Sequence, residues 1–176
     1  GAEADDIIGT LCNHYGRILN TPDAEKILVL SGDKDFMQLQ KYANVSQYAP
    51  VQKKMMTTDN PERFLREHIM LGDAGDGIPN FLSDDDTFVT DKRQKPVSRA
   101  KLEKWVTMDM NDFCVGEMKR NYMRNEKLID LANVPDNIKQ QVLDKYDTLT
   151  PAPRSGILNY FVSSRLKNLT ESIGDF

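Results

Sequence analysis

The sequence predicts an α/β fold that passes into a helix-rich region, and three observations carry that expectation. Lys26-Ile27-Leu28-Val29-Leu30 is a short apolar run that reads as a buried parallel strand. Ser31-Gly32-Asp33-Lys34-Asp35 and a helical Phe36–Leu39 segment follow it, the order found at the carboxyl end of a strand in an open α/β sheet. Beyond Pro61, apolar residues recur at helical spacing through most of the remaining chain.

The elements are justified in order. Residues 2–15 fit an amphipathic helix with Ile7, Ile8, Leu11 and Tyr15 on one stripe, and Gly16 suits its end. The strand 26–30 comes next. Val45–Ala49 and Lys54–Thr58, on either side of Pro50, read as a hairpin. Pro61 suits a first helical position, with Phe64, Leu65, Ile69 and Leu71 giving the spacing of a helix that Gly72 ends. Residues 83–104 carry Asp84-Asp85-Asp86 and then six basic residues against one Glu over 92–104, which reads as a solvated loop running into a helix around Trp105. Met110–Arg124, Ile138–Tyr146 (with Asp136 as N-cap) and Ile157–Leu166 complete a helical remainder. No internal repeat is present.

Seven carboxylates in three clusters stand at the junctions of these elements: Glu3, Asp5 and Asp6; Asp33 and Asp35; Asp73 and Asp76. No His or Cys is interleaved with them. Hard oxygen donors of this kind suit Mg²⁺ or Mn²⁺ rather than zinc, and Mg²⁺ held by a few carboxylates usually also meets a phosphate. Phosphodiester chemistry is the class this points to. Each cluster also has a plainer explanation. An acidic first turn favours the positive end of a helix dipole, an Asp after a strand caps the next helix, and Gly72–Asn80 is a helix-ending turn. The spacing of the acids in that turn excludes an EF-hand. Its glycines allow backbone N–H groups to approach a phosphate closely.

Composition fits a chain with a proper core, 39% of it apolar, and no apolar run approaches membrane-spanning length. No signal-peptide pattern opens the chain. Cys12 and Cys114 lack metal-ligand spacing and read as reduced thiols of a cytoplasmic protein. The net charge of −4 argues against a nucleic-acid partner only until the seven clustered acids are set aside, which leaves 23 positive against 20 negative residues. The basic stretch with Lys92, Arg93 and Lys95 is then a candidate backbone contact.

Taken together, Glu-Ala-Asp-Asp opening a helix, Ser-Gly-Asp-Lys-Asp-Phe after a strand and Gly-Asp-Ala-Gly-Asp-Gly-Ile-Pro-Asn after a helix resemble the flap endonuclease/5′→3′ exonuclease family. Within it, Tyr42-Ala43-Asn44-Val45, the stretch from Ile129-Asp130 to Pro135-Asp136-Asn137-Ile138, and Tyr160-Phe161-Val162 are similar to the phage ribonuclease H of the T4 type. The resemblance implies the second half of a PIN-like parallel-sheet nuclease domain over residues 1–58. A mainly helical domain with a helix–three-turn–helix element follows over 59–176. It implies removal of RNA primers and 5′ flaps during DNA replication by two divalent cations, normally Mg²⁺ with Mn²⁺ as a substitute. Asp5 and Asp33 resemble ligands of the first cation; Glu3, Asp35, Asp73 and Asp76 resemble those of the second, with Asp6 as outer support. Asp5, Asp33 and Asp35 take the catalytic roles. Gly72, Gly75, Gly77 and Ile78 belong to the element that grips a duplex. The implied partners are duplex DNA and RNA–DNA hybrids with a 5′ end or flap, and a single-strand-binding protein or sliding clamp, in an infected bacterial cytoplasm with no membrane.

The chain departs from the family in one respect. Gly1 is not an initiator Met, and the strands with further aspartates and the basic arch that precede the Glu-Ala-Asp-Asp helix in the family are not in it. The expectation is therefore the downstream part of a longer protein, with little or no nuclease activity alone. The competing expectations are a non-catalytic DNA-binding module using the glycine-rich turn and basic segment, and a structural fragment whose acids are caps.

Overall fold

In the computed structural model, helix α1 (Ala4–Tyr15) starts at Glu3, whose N–H donates to the Asp6 carboxylate at 2.9 Å, and stops at an extended Gly16. The structure describes residues 1–17, 21, 23–90, 92–150 and 153–175. Strand β1 (Ile27–Leu30) pairs in parallel with β2 (Val45–Ala49), and β2 pairs antiparallel with β3 (Lys54–Met56) across the turn that holds Pro50. A 3₁₀ helix (Asp35–Lys41) crosses between β1 and β2. The result is a mixed, helix-rich structure with one three-stranded sheet ordered β1-β2-β3.

The expectation of a buried β1 is corrected here. Val29 is buried, but Leu28 and Leu30 are 54% and 66% exposed. β1 is an edge strand, paired on one side only, and among the described residues no layer covers its second face. Inside the sheet layer, Cys12, Phe36, Leu39, Val45 and Leu131 close around Val29.

Helix α2 (Pro61–Leu71) begins with Pro61 at its first position and an Asn60 cap that accepts from Arg63 N–H at 2.8 Å. It ends at Gly72 with φ +68°, where a Cβ would lie 2.4 Å from the Ile78 carbonyl oxygen; only glycine fits. Helices α3 (Arg99–Trp105), α4 (Met110–Phe113) and α5 (Glu117–Ile129) follow. The single helix expected over 110–124 is thus two: Gly116, at φ +55°, breaks it and starts α5. A second core gathers on fully buried Phe81, with Trp105, Phe113 and Tyr122 meeting its ring edge to face. These aromatic pairs add about 0.5–1.5 kcal/mol each beyond their burial.

Helix α6 (Asp136–Asp147) follows Pro135, and Asp136 is its first residue rather than a cap outside it. Two compact units divide the chain, Gly1–Leu143 and Asp144–Phe176. In the second, α7 (Ile157–Ser163) packs on α8 (Lys167–Glu171) around buried Phe161. The helix expected to reach Leu166 stops at Ser163, because Arg165 takes φ +55° and Leu166 N–H turns back to the Phe161 carbonyl at 2.9 Å. Pro151, which with Pro153 reads in the sequence as a break before this helix, lies outside the described residues.

Candidate metal centre

Three stretches far apart in sequence meet at one end of β1. The first is the opening turn of α1. Asp5 is half-buried there, and its carboxyl is pushed up, first by burial and then by Asp33, Glu3, Asp76 and Asp6. Members of all three acidic clusters are thus close enough to repel. Asp6 returns its carboxylate to the Glu3 N–H, so it also serves as a helix cap.

The second stretch is the loop after β1. Ser31 Oγ accepts from Asp33 N–H at 3.1 Å, and Asp33 Oδ1 accepts from Asp35 N–H at 3.0 Å. Each short side chain fixes the backbone two residues on. Buried Gln47, reaching from β2, donates through Nε2 to the carbonyls of Ser31 (2.9 Å) and Asp33 (2.5 Å). The sheet therefore holds the loop by an amide that sequence reasoning did not single out.

The third stretch is the turn after α2. Asp73 Oδ1 accepts from Gly75 N–H at 2.7 Å and Asp76 N–H at 3.3 Å, while Ile78 N–H closes on the Asp73 carbonyl at 2.7 Å. Gly77 N–H turns back to Ala74 O at 3.4 Å. The N–H groups expected to meet a phosphate are engaged within the turn, which Gly72 and Gly77 shape through positive φ. Behind it, fully buried Asn125 donates to the carbonyls of Ile69 and Pro79 at 2.8 and 2.9 Å, and Arg124 donates to the same Pro79 carbonyl. Asn80, the last residue of the motif, ties the turn to Gln94 and Lys95.

His68, in the last turn of α2, joins the second and third stretches. Its Nδ1 lies 3.3 Å from Asp35 Oδ1 and its Nε2 lies 3.2 Å from Asp73 Oδ2. The Nδ1 contact is electrostatic rather than a well-directed hydrogen bond, since that buried nitrogen has no hydrogen-bond partner. One ligand atom from each of Asp35, His68 and Asp73 falls within 4.8 Å of the other two. The absence of His between the acids in sequence is therefore corrected in space. The only sequence signal was its place one turn before Gly72.

The two carboxylates beside His68 differ. Burial pushes Asp35 up to about 6, with Asp33, Asp73 and Asp76 adding to the rise and His68 opposing it. Burial also acts to raise Asp73, but the donors at Gly75, Asp76 and His68 outweigh it and hold the carboxyl below its ordinary value. A cleft of about 490 Å³, lined by Asp33, Asp35, His68 and Asp73 among others, opens between the β1 loop and α2. Crowded carboxylates, one of them pushed toward its neutral form, are a donor set that a hard divalent cation relieves.

The basic candidates lie elsewhere. Lys92 pairs with Asp86 at 2.8 Å and Lys95 with Asp84 at 3.4 Å, while Asp85 is taken by Arg120 and Arg124. Arg93 is exposed and has no carboxylate partner among the described residues. Of the six basic residues over 92–104, the acidic run thus pairs with two, Lys92 and Lys95.

A family model described as T4 RNase H, C terminal, matches residues 59–176. Ribonuclease H of Enterobacteria phage T4 is 31% identical over 181 residues, an alignment spanning 99% of this chain and 58% of that protein. A crystal structure of T5 D15 protein co-crystallized with metal ions superposes with a TM-score of 0.47 at 17% identity, over 82% of this chain and 61% of that one. The chain therefore spans less than two thirds of the length of each of these relatives.

Proposed function

Because the chain belongs to the T4 RNase H C-terminal family, we propose that it carries the cation- and duplex-holding part of a Mg²⁺-dependent 5′ nuclease that removes RNA primers and 5′ flaps from duplexes. The observation that carries this is the meeting of the three acidic clusters: Asp33, Asp35 and Asp73 line one cleft, with Asp5 and Asp76 within electrostatic reach of them. In this reading residues 1–58 belong to a PIN-like nuclease domain and 59–176 to a helical domain with a helix–three-turn–helix element. The start of the family match at residue 59 supports that division.

Asp5 and Asp33 hold one divalent cation; Glu3, Asp35, Asp73 and Asp76 hold a second. Mn²⁺ substitutes for Mg²⁺. When bound, such cations supply an activated water and stabilise the charge of an in-line displacement. The protein's own residues fix the geometry. Gln47 sets the height of the Asp33–Asp35 loop above the sheet, and Asn125 with Arg124 holds the Asp73 turn against α5. His68 stands between Asp35 and Asp73, offsetting their repulsion before a cation arrives. Gly72, Gly75, Gly77 and Ile78 present the turn to a duplex backbone, with exposed Arg93 as the basic contact. Replication proteins such as a single-strand-binding protein or a clamp are the proposed partners, in the cytoplasm of an infected cell.

The non-catalytic DNA-binding alternative is disfavoured, because Lys92 and Lys95 are already paired with aspartates and the crowded carboxylates of the cleft have no role in it. Titration calorimetry with Mg²⁺ and Mn²⁺ tests the proposal. Asp33→Asn and Asp35→Asn should each weaken binding at least tenfold. Unchanged affinity in both would remove these residues from a cation site.

A further inference from the structure

The other half of α1 carries a second pocket, of about 320 Å³, closed by the end of the 3₁₀ helix and by α6. Its walls hold Thr10, His14, Lys41 and Lys139 over a floor of Asn13 and Tyr42. The floor is rigid: the Tyr42 hydroxyl donates to Asn13 Oδ1 at 3.0 Å, and Asn13 Nδ2 donates to the Leu131 carbonyl at 3.0 Å. Lys41 lies over the Tyr42 ring at 5.2 Å and has no carboxylate partner among the described residues. Lys139 meets only the fully exposed Asp136, at 3.5 Å. Thr10 is 3% exposed, yet its hydroxyl has no hydrogen-bond partner. A helical Thr commonly returns that hydroxyl to the carbonyl one turn back, and here it does not. Two ammonium groups, an imidazole and an orphaned hydroxyl thus surround one concavity.

We propose that this pocket takes a phosphate of a nucleic-acid strand running from the acidic cleft. The inference rests on the nuclease reading for the identity of that strand. Thr10 and His14 lie about 6 and 12 Å beyond Asp6 along the axis of α1. The pocket is therefore within a few nucleotides of the acids along a bound strand. Neither the glycine-rich turn nor the Lys92–Lys95 segment contributes to it. It would hold the strand beyond the cleft and so set its direction.

Amide spectra of the 176-residue chain, titrated with inorganic phosphate and separately with an eight-nucleotide oligothymidylate, test this. The signals of Thr10, Lys41, Tyr42 and Lys139 should shift and saturate with both. Lys41→Gln and Lys139→Gln should each weaken oligonucleotide binding about tenfold, as loss of a charge-assisted contact does. Each should also lower the salt dependence of binding by about 0.7 in log–log slope, a change that a merely structural lysine would not cause. Thr10→Val, nearly isosteric, should weaken binding severalfold with the melting temperature held. Signals around Phe81 report whether each variant is folded. Shifts with phosphate alone would overturn the assignment to a nucleic-acid strand, and shifts with neither would overturn the pocket as an anion site. Mn²⁺ broadening at Asp33 and Asp35 reads the metal centre separately. Its absence would count against the nuclease reading and leave the phosphate shifts to be judged independently.

Discussion

The loop after β1 and the turn after α2 line the same cleft, through Asp33 and Asp35 from the loop and Asp73 from the turn, but they are held by different means. The loop is tied to β2 by buried Gln47 and by the Ser31 N–H bond to the Tyr48 carbonyl, and its Asp35 is pushed up to about 6 by burial and by neighbouring carboxylates. The turn is braced from α5 by Asn125 and Arg124, and its Asp73 is held below its ordinary value by three donors that outweigh burial. Structural order is concentrated in the turn and charge stress in the loop. In the proposed cation site, a fixed turn would give the cation a position and a stressed loop a reason to bind.

The largest effect expected is on the turn's brace. Asn125→Leu removes two buried donors and leaves the Ile69 and Pro79 carbonyls without them, which should cost roughly 2–4 kcal/mol. Urea unfolding measures it; a loss under 1 kcal/mol would mean the turn is held by something else. Gly72→Ala comes next, at about 2 kcal/mol or more, because the new Cβ meets backbone atoms at a positive φ.

Much of this architecture was legible before any coordinates. Pro61, Gly72, the apolar run 27–30 and the hairpin around Pro50 are local signals, and a cap, a turn or a period is read from a few neighbours. What lies opposite an element is not local. Leu28 and Leu30 looked buried because their run is apolar, and only the sheet order shows one face uncovered. The sequence marks neither His68 nor Asn125; their roles come from groups 5 to 56 positions away. The three acidic clusters were visible as separate motifs with a chemistry in common. Their approach to one another is a product of packing.

The two regions should also separate by pH in the metal-free chain. Asp35 has a folded pKa of about 6 against an ordinary 3.8, so the folded state binds its proton more readily. Its contribution therefore destabilises above pH ~6, and stability should rise by roughly 1–3 kcal/mol as pH falls from 6 to 4. Asp73 is lowered instead. Its stabilisation is present above pH 3.8 and is lost below that value. Denaturation midpoints across pH 3–7 would show a maximum near pH 4, and Asp35→Asn should flatten the upper limb. The smallest effect belongs to Lys92→Gln, which should leave the denaturation midpoint essentially unchanged, since its exposed pair with Asp86 contributes little.

The account rests on the claim that the stressed loop and the braced turn form one cation site. The most direct measurement is the thermal shift produced by Mg²⁺ in the wild-type chain, in Asp35→Asn and in Asp73→Asn. Binding to the folded state raises the midpoint in proportion to ln(1 + [Mg²⁺]/Kd). The account predicts a clear rise in the wild type that either substitution, one on each side of His68, nearly abolishes. A rise of the same size in both variants would contradict it.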